Sequence, residues 1–167
     1  MRDTQVQKLV RTALMAALCL LLTRVITVPA PTGYVNLGDC AVLFSAWLLG
    51  PVYGGLAAGI GTMLADVLSG YASYAPATFI IKFAMAAAAA MTFRLMEKRS
   101  RLLSSVVGAV VAEAIMIAGY FVYESLILGV GLAAAASVPA NLVQGFFGGV
   151  SGVLMIAALS KFKILIR

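Results

Sequence analysis

The sequence predicts an all-α integral membrane protein, a single compact bundle of six transmembrane helices with both termini on the cytoplasmic side (N-in, C-in). Three observations carry that expectation: an extreme apolar composition, a series of apolar runs of spanning length, and a one-sided distribution of basic residues. Of the 167 residues, 63% are hydrophobic and 11% charged, against roughly 45–50% and about 25% in soluble domains. A water-soluble fold of this size has no interior large enough to hide so much apolar surface. One membrane helix takes about 20 apolar residues, so six consume most of the chain. Residues 1–167 therefore read as one membrane domain with no soluble catalytic unit.

The first run, Leu9 to Ile26, is too long for a typical signal-peptide core and lacks a small-residue cleavage site, so it reads as span one. The others are Asp39 to Leu49, Val52 to Leu68, Pro76 to Met96, Leu102 to Ile127 and Val138 to Leu159. The second is short and ends at Gly50-Pro51, where proline removes a backbone donor and disfavours helical continuation. Spans two and three thus form a tight helical hairpin; merging them gives the alternative five-span count. The run Ala86 to Ala90 reads as a packing face, because small side chains admit close helix contact.

The net charge of +6 is read first as a topology signal, since Lys and Arg are retained on the cytoplasmic side of membranes. Arg2, Lys8 and Arg11 lie at the start, Arg94, Lys98, Arg99 and Arg101 follow span four, and Lys161, Lys163 and Arg167 close the chain. Arg24 and Lys82 fall elsewhere. This places the connections Thr27 to Gly38, Ser69 to Ala75 and Leu128 to Ser137 outside, the first being the longest and most irregular.

An enzyme is not expected. Histidine is absent, which removes the commonest general base and a favoured metal ligand. Cys19 and Cys40 stand in no metal-ligand spacing. No metal or cofactor is predicted, and no nucleic-acid partner.

Charged residues inside apolar spans are costly and face a protein interior or a water-filled cavity. Asp39, Asp66, Lys82 and Glu124 all fall in the outer half of the proposed bundle. At about 100° per residue, Glu113, Tyr120 and Glu124 come close to one stripe of span five. Asn141, Gln144, Gly145, Gly148 and Gly152 share a face of span six, and Gly55, Gly59, Thr62 and Asp66 a face of span three. A polar cavity open to the outside fits this pattern.

Each residue also has a structural reading. Asp66 and Lys82 form either an internal salt bridge or part of a solute site. Asp39 suits the N-terminal cap of span two, and Arg24 an interfacial anchor whose head reaches water. Tyr71, Tyr74, Tyr120 and Tyr123 serve equally as an aromatic belt or as stacking partners for a flat ring. Asn141 and Gln144 are candidates for interhelical hydrogen bonds, but Pro139 starts their helix near the outer surface and sets both amides at pocket depth, so solute contact is the preferred reading. Glu113, the deepest acid, stands as an ion-coupling group, a pocket floor or an interhelical partner. The pairs Ala13/Ala17, Gly55/Gly59, Gly145/Gly149 and Gly148/Gly152 permit close helix approach.

The six-span plan, Ala13-x-x-x-Ala17, and Asn36-Leu37-Gly38-Asp39 leading into Leu49-Gly50-Pro51 resemble the substrate-binding S components of bacterial energy-coupling factor (ECF) transporters. Ala65-Asp66-Val67-Leu68-Ser69-Gly70-Tyr71 and Tyr74-Ala75-Pro76-Ala77-Thr78 look like the branch for hydroxymethylpyrimidine, pyridoxine and riboflavin-type solutes. The resemblance implies a multi-pass protein of the bacterial cell membrane that binds a vitamin or vitamin precursor near the outer face. It implies a lid, Thr27 to Gly38, and contacts from Tyr74, Lys82, Tyr120, Glu124, Asn141 and Gln144. With Asn36 and Asp39 of the first stretch, these are the candidate substrate-binding residues. The implied partners are a transmembrane coupling protein (T component), contacted by Ala13 and Ala17, and two ATP-binding-cassette ATPases. Gly-x-x-x-x-Gly-Lys-Ser/Thr, the phosphate-cradling loop, is absent from this chain, so ATP hydrolysis through that motif belongs to partners. Hydroxymethylpyrimidine or pyridoxine is the first expected solute, riboflavin the next, and another heterocycle the third. The class-level alternative is an autonomous secondary carrier or channel, with Glu113 and the Asp66/Lys82 pair handling ions; a membrane assembly factor without a solute is a third reading.

Overall fold

A computed structural model describes residues 4–25, 27–30 and 33–161. Arg2, Ile26, Pro31, Thr32, Lys163 and Arg167, which enter the topology, span or lid expectations, lie outside the described residues.

Helix α1 covers Gln5–Val25. A reciprocal cap starts it: Gln7 N–H donates to Thr4 Oγ1 at 3.3 Å, and Thr4 N–H donates to Gln7 Oε1 at 2.9 Å. Thr12, Met15, Cys19 and Thr23 form its buried stripe, whereas Ala13 and Ala17 are exposed on the other side. The connection that follows is an antiparallel hairpin rather than an irregular loop. Strands β1 (Thr27–Ala30) and β2 (Gly33–Asn36) pair with Thr27 opposite Asn36 and Ala30 opposite Gly33. Pro29, which lacks a backbone donor, is tolerated because both strands are edges.

Helix α2 runs over Gly38–Leu68, but its backbone breaks at Gly50 (φ 80°, ψ −175°). The Ser45 hydroxyl donates to the Gly54 carbonyl across this break at 3.1 Å. In a straight helix those residues would be about 13.5 Å apart at 1.5 Å per residue, so the two arms fold back on each other. The first arm, Gly38–Leu49, reaches only about 18 Å, short of a hydrocarbon core of roughly 30 Å. It is a short, deeply buried arm, with Ala41 through Trp47 all enclosed.

Helix α3 spans Ala75–Met96, with proline in its first turn, where no intrahelical donor is needed. Helix α4 spans Arg101–Val122, capped by Ser100, whose hydroxyl accepts from the Leu103 N–H at 3.3 Å. It continues as a π-helical turn at Tyr123–Ile127; a 3₁₀ segment, Gly131–Ser137, then leads into α5, Val138–Lys161. Among the described residues five helices are long and apolar enough to cross a membrane. The second and third expected spans lie in one helical segment as two arms broken at Gly50, so five segments of spanning length hold the six expected runs.

Glycine brings α2 against its neighbours. A Cβ at Gly55 or Gly59 would stand 2.8 Å from the rings of Phe83 and Phe79, and one at Gly61 2.2 Å from the Ala16 carbonyl of α1. The Gly55/Gly59 pair is therefore internal packing. Ala86, Ala89 and Ala90 of the alanine run are buried in the core with Leu43, Trp47 and Met116. The β-hairpin, the start of α3 and the α4–α5 connection gather at one end of the bundle. The Gly50 turn, the start of α1 and the α3–α4 connection lie at the other.

Candidate ligand cavity

At the hairpin end, a cavity of about 60 Å³ is lined by side chains from β2, the α2 end, α3, α4 and α5. Of the candidate residues, Asn36, Tyr74, Tyr120, Glu124, Asn141 and Gln144 line it. Tyr34, Asp66, Tyr71 and Thr78 line it as well, with Ser137 and Ala140 at the start of α5. Thr78 lies one helical turn beyond Tyr74, a spacing that could have marked it. No sequence signal separates Tyr34 from the rest of its connection.

The tyrosines form a row. Ring centroids are 5.1 Å apart for Tyr34–Tyr71, 6.4 Å for Tyr71–Tyr74 and 5.5 Å for Tyr74–Tyr123, within the range of favourable aromatic pairs. Hydrogen bonds fix several of their hydroxyls. Tyr34 donates to Asp66 Oδ1 at 2.7 Å and Tyr74 to Glu124 Oε1 at 3.2 Å. Tyr123 donates to the Ser73 carbonyl, and Tyr120 shares a 3.1 Å bond with Thr78 Oγ1. Burial raises the Tyr34 and Tyr74 pKa values, and the Asp66 and Glu124 carboxylates add to the rise, so both phenols stay neutral donors. Ser137 donates to Glu124 Oε2 at 2.6 Å, tying the π-helical turn to the α5 approach; such turns recur at functional sites.

Gln144 closes the inner wall. Its Oε1 accepts from the Asn36 backbone N–H at 3.0 Å and from Asn36 Nδ2 at 3.2 Å, while its Nε2 donates to Asp39 Oδ2 at 2.7 Å. Lys82 donates to the other oxygen of Asp39. The ion pair is buried, at 3% exposure for Lys82 and 0% for Asp39.

Two expectations, on the partner of Lys82 and on the cap of α2, are corrected here. Lys82 pairs with Asp39, not with Asp66, whose oxygen is taken by Tyr34. Asp39 does not cap α2: the cap position is Leu37, without a side-chain bond, and Asn36 Oδ1 instead accepts from the Gly38 N–H at 2.8 Å. Asp39 and Lys82 are absent from the cavity lining and stand behind Gln144. The cause is the short first arm of α2, which starts deep in the bundle rather than at its surface. Gly148 makes the fit possible, since a Cβ there would approach Asp39 Cβ to 2.6 Å. Glu113 lies apart, packed on Gly145, with neither carboxylate oxygen hydrogen-bonded among the described residues.

A membrane-embedded cavity of tyrosines, amides and hydroxyls, with the buried Lys82–Asp39 pair set behind its inner wall, defines a protein that binds a solute. The chain matches the family model described as ECF-type riboflavin transporter, S component, over residues 3–161, and it belongs to that family. It is thus the substrate-binding subunit of a multi-pass transporter of the cell membrane, it works with an energy-coupling module, and it is not an enzyme. It is 34% identical over 130 residues to an uncharacterized protein in gap 3′region of Pyrococcus woesei, covering 78% of this chain and 82% of the relative. Its fold is like that of a solved S component of a bacterial ECF transporter, at a TM-score of 0.71 and 18% identity, covering 96% of this chain and 99% of the other. The family match carries the riboflavin description; neither comparison supports the hydroxymethylpyrimidine and pyridoxine branch.

Proposed function

We propose that the chain captures a flat heteroaromatic vitamin in this cavity and hands it inward for ATP-driven uptake, powered by a separate coupling protein and two ATPases. The observation that carries the reading is the tyrosine row beside converging amides, which suits a planar ring with hydrogen-bonding edges. Riboflavin, the solute in the family description, is the first to test. The cavity volume favours a second reading. About 60 Å³ is small beside the roughly 300–1,000 Å³ of common ligand sites, which suits a single ring such as hydroxymethylpyrimidine or pyridoxine. Titration calorimetry of the purified protein with all three compounds separates the readings, and failure of every one to bind removes both. Solute flux through the chain alone in liposomes would support an autonomous carrier instead.

The orientation belongs to the same proposal: six passes through the bundle, counting the short Gly38–Leu49 arm as one, both termini and the Arg94 to Arg101 connection cytoplasmic, the cavity opening outside. The basic residues at the end opposite the cavity support it. Labelling of single cysteines at positions 1 and 99 by an impermeant reagent on intact cells would reverse it.

A further inference from the structure

The bundle end opposite the cavity holds a second cleft of quite different character, about 360 Å³ in volume. Lys8 and Arg11 of α1 and Arg94 of α3 rim it, over a floor that includes Leu49, Pro51 and Val52 at the α2 turn. Its described lining contains three cations and no carboxylate; Glu97 lines the adjoining cleft instead. The cations are positioned rather than scattered. The Lys8 ammonium lies 5.9 Å from the centroid of the Tyr53 ring, a cation–π distance. Arg94 reaches into the space left by Gly50, where a Cβ would stand 2.2 Å from its Nη2. Beside the cations the surface turns aliphatic: Val10 and Val52 are both more than half exposed.

We propose that this cleft binds the phosphate headgroup of an anionic phospholipid between Lys8, Arg11 and Arg94, with the glycerol and upper acyl chains against Pro51 and Val52. Basic pockets between membrane helices suit phosphate headgroups, and guanidinium groups pair with phosphate oxygens through several donors at once. Free phosphate shares the headgroup chemistry, but the aliphatic floor favours the lipid. The site is separate from the vitamin cavity and does not depend on the solute bound there.

The full chain in phosphatidylcholine nanodiscs, titrated with a fluorescent phosphatidylglycerol, tests it. Lys8→Gln with Arg94→Gln should weaken lipid binding about tenfold or more. Lys98→Gln with Arg99→Gln, which removes the same charge outside this cleft, should change it little. Arg94 touches the α2 turn, so Lys8→Gln with Arg11→Gln, on the exposed side of α1, provides an independent second variant. Millimolar inorganic phosphate should not displace the lipid. Equal losses in both charge-matched pairs would mean general surface attraction, and displacement by phosphate would mean a small-anion site; either overturns the proposal. So would unchanged lipid binding together with loss of co-purifying coupling protein, which would make the cleft a protein-docking surface.

Discussion

Gln144 and Asn36 fasten the β-hairpin to α5: the Gln144 carbonyl oxygen accepts from both the backbone and side-chain amides of Asn36, at 3.0 and 3.2 Å. The amide is held in that orientation from below, because its nitrogen donates to Asp39 at 2.7 Å and a carboxylate cannot donate back. Gln144→Leu keeps the volume but leaves buried groups of Asn36 and Asp39 without partners, at about 1–3 kcal/mol each. Solute affinity should fall by roughly ten- to a hundredfold, with a lower melting temperature in detergent. Wild-type affinity by calorimetry would mean that the fastening does not shape the site.

The Asp39–Lys82 pair makes a sharper prediction about stability. Removing one member of a buried pair leaves an uncompensated charge and costs roughly 3–5 kcal/mol, whereas replacing both by apolar or neutral groups is often tolerated. Lys82→Met should therefore destabilise the chain severely, and adding Asp39→Asn should recover most of the loss. Melting curves of the two variants check this, and equal damage in both would show that Lys82 matters for some contact other than Asp39.

The cavity end was largely legible from the sequence because helix ends carry it. Tyr74 lies at the start of α3, Tyr120 and Glu124 near the end of α4, and Asn141 and Gln144 near the start of α5, so their depth followed from the spans alone. The charge pairing was not legible. Reading Asp39 to Leu49 as a full span set Asp39 near the surface, whereas a 12-residue arm covers only about 18 Å and places its first turn beside Lys82. The β-hairpin was also hidden, because four-residue strands containing Pro29 carry too little alternation to stand out.

Gly50 is the hinge of that short arm. Its φ of 80° with ψ of −175° is a conformation essentially confined to glycine, costing other residues about 1–3 kcal/mol, and a methyl group there would also displace the Arg94 guanidinium. Gly50→Ala should lower the melting temperature, and Gly70→Ala, also at positive φ but with nothing within 4 Å of a new Cβ, should lower it less. Equal effects would mean that the strain alone matters and the Arg94 contact does not.

Ala13 and Ala17 face away from the buried stripe of α1 and are exposed, so enlarging them leaves the core of this chain untouched. Ala13→Leu with Ala17→Leu should preserve solute binding by the isolated protein while abolishing energised uptake, because close backbone approach by a partner helix is blocked. Retained uptake in cells carrying the coupling module would free this face from the partner role.

Asn141 lines the cavity one turn before Gln144, and its side chain makes no hydrogen bond among the described residues. Gln144 is committed to Asn36 and Asp39, whereas Asn141 retains both its donors and its acceptor for a solute edge. Loss of a buried bond that leaves the solute group unsatisfied costs about 1–3 kcal/mol, and each 1.4 kcal/mol is about tenfold in affinity. Asn141→Ala should therefore weaken binding of the cognate vitamin by roughly one to two orders of magnitude while leaving the melting temperature of the solute-free protein nearly unchanged. Calorimetry and a melting curve on the same preparation distinguish the roles. A stability loss with intact affinity would make Asn141 an interhelical contact, and the recognition of the ring would then rest on Tyr74, Tyr120 and Glu124.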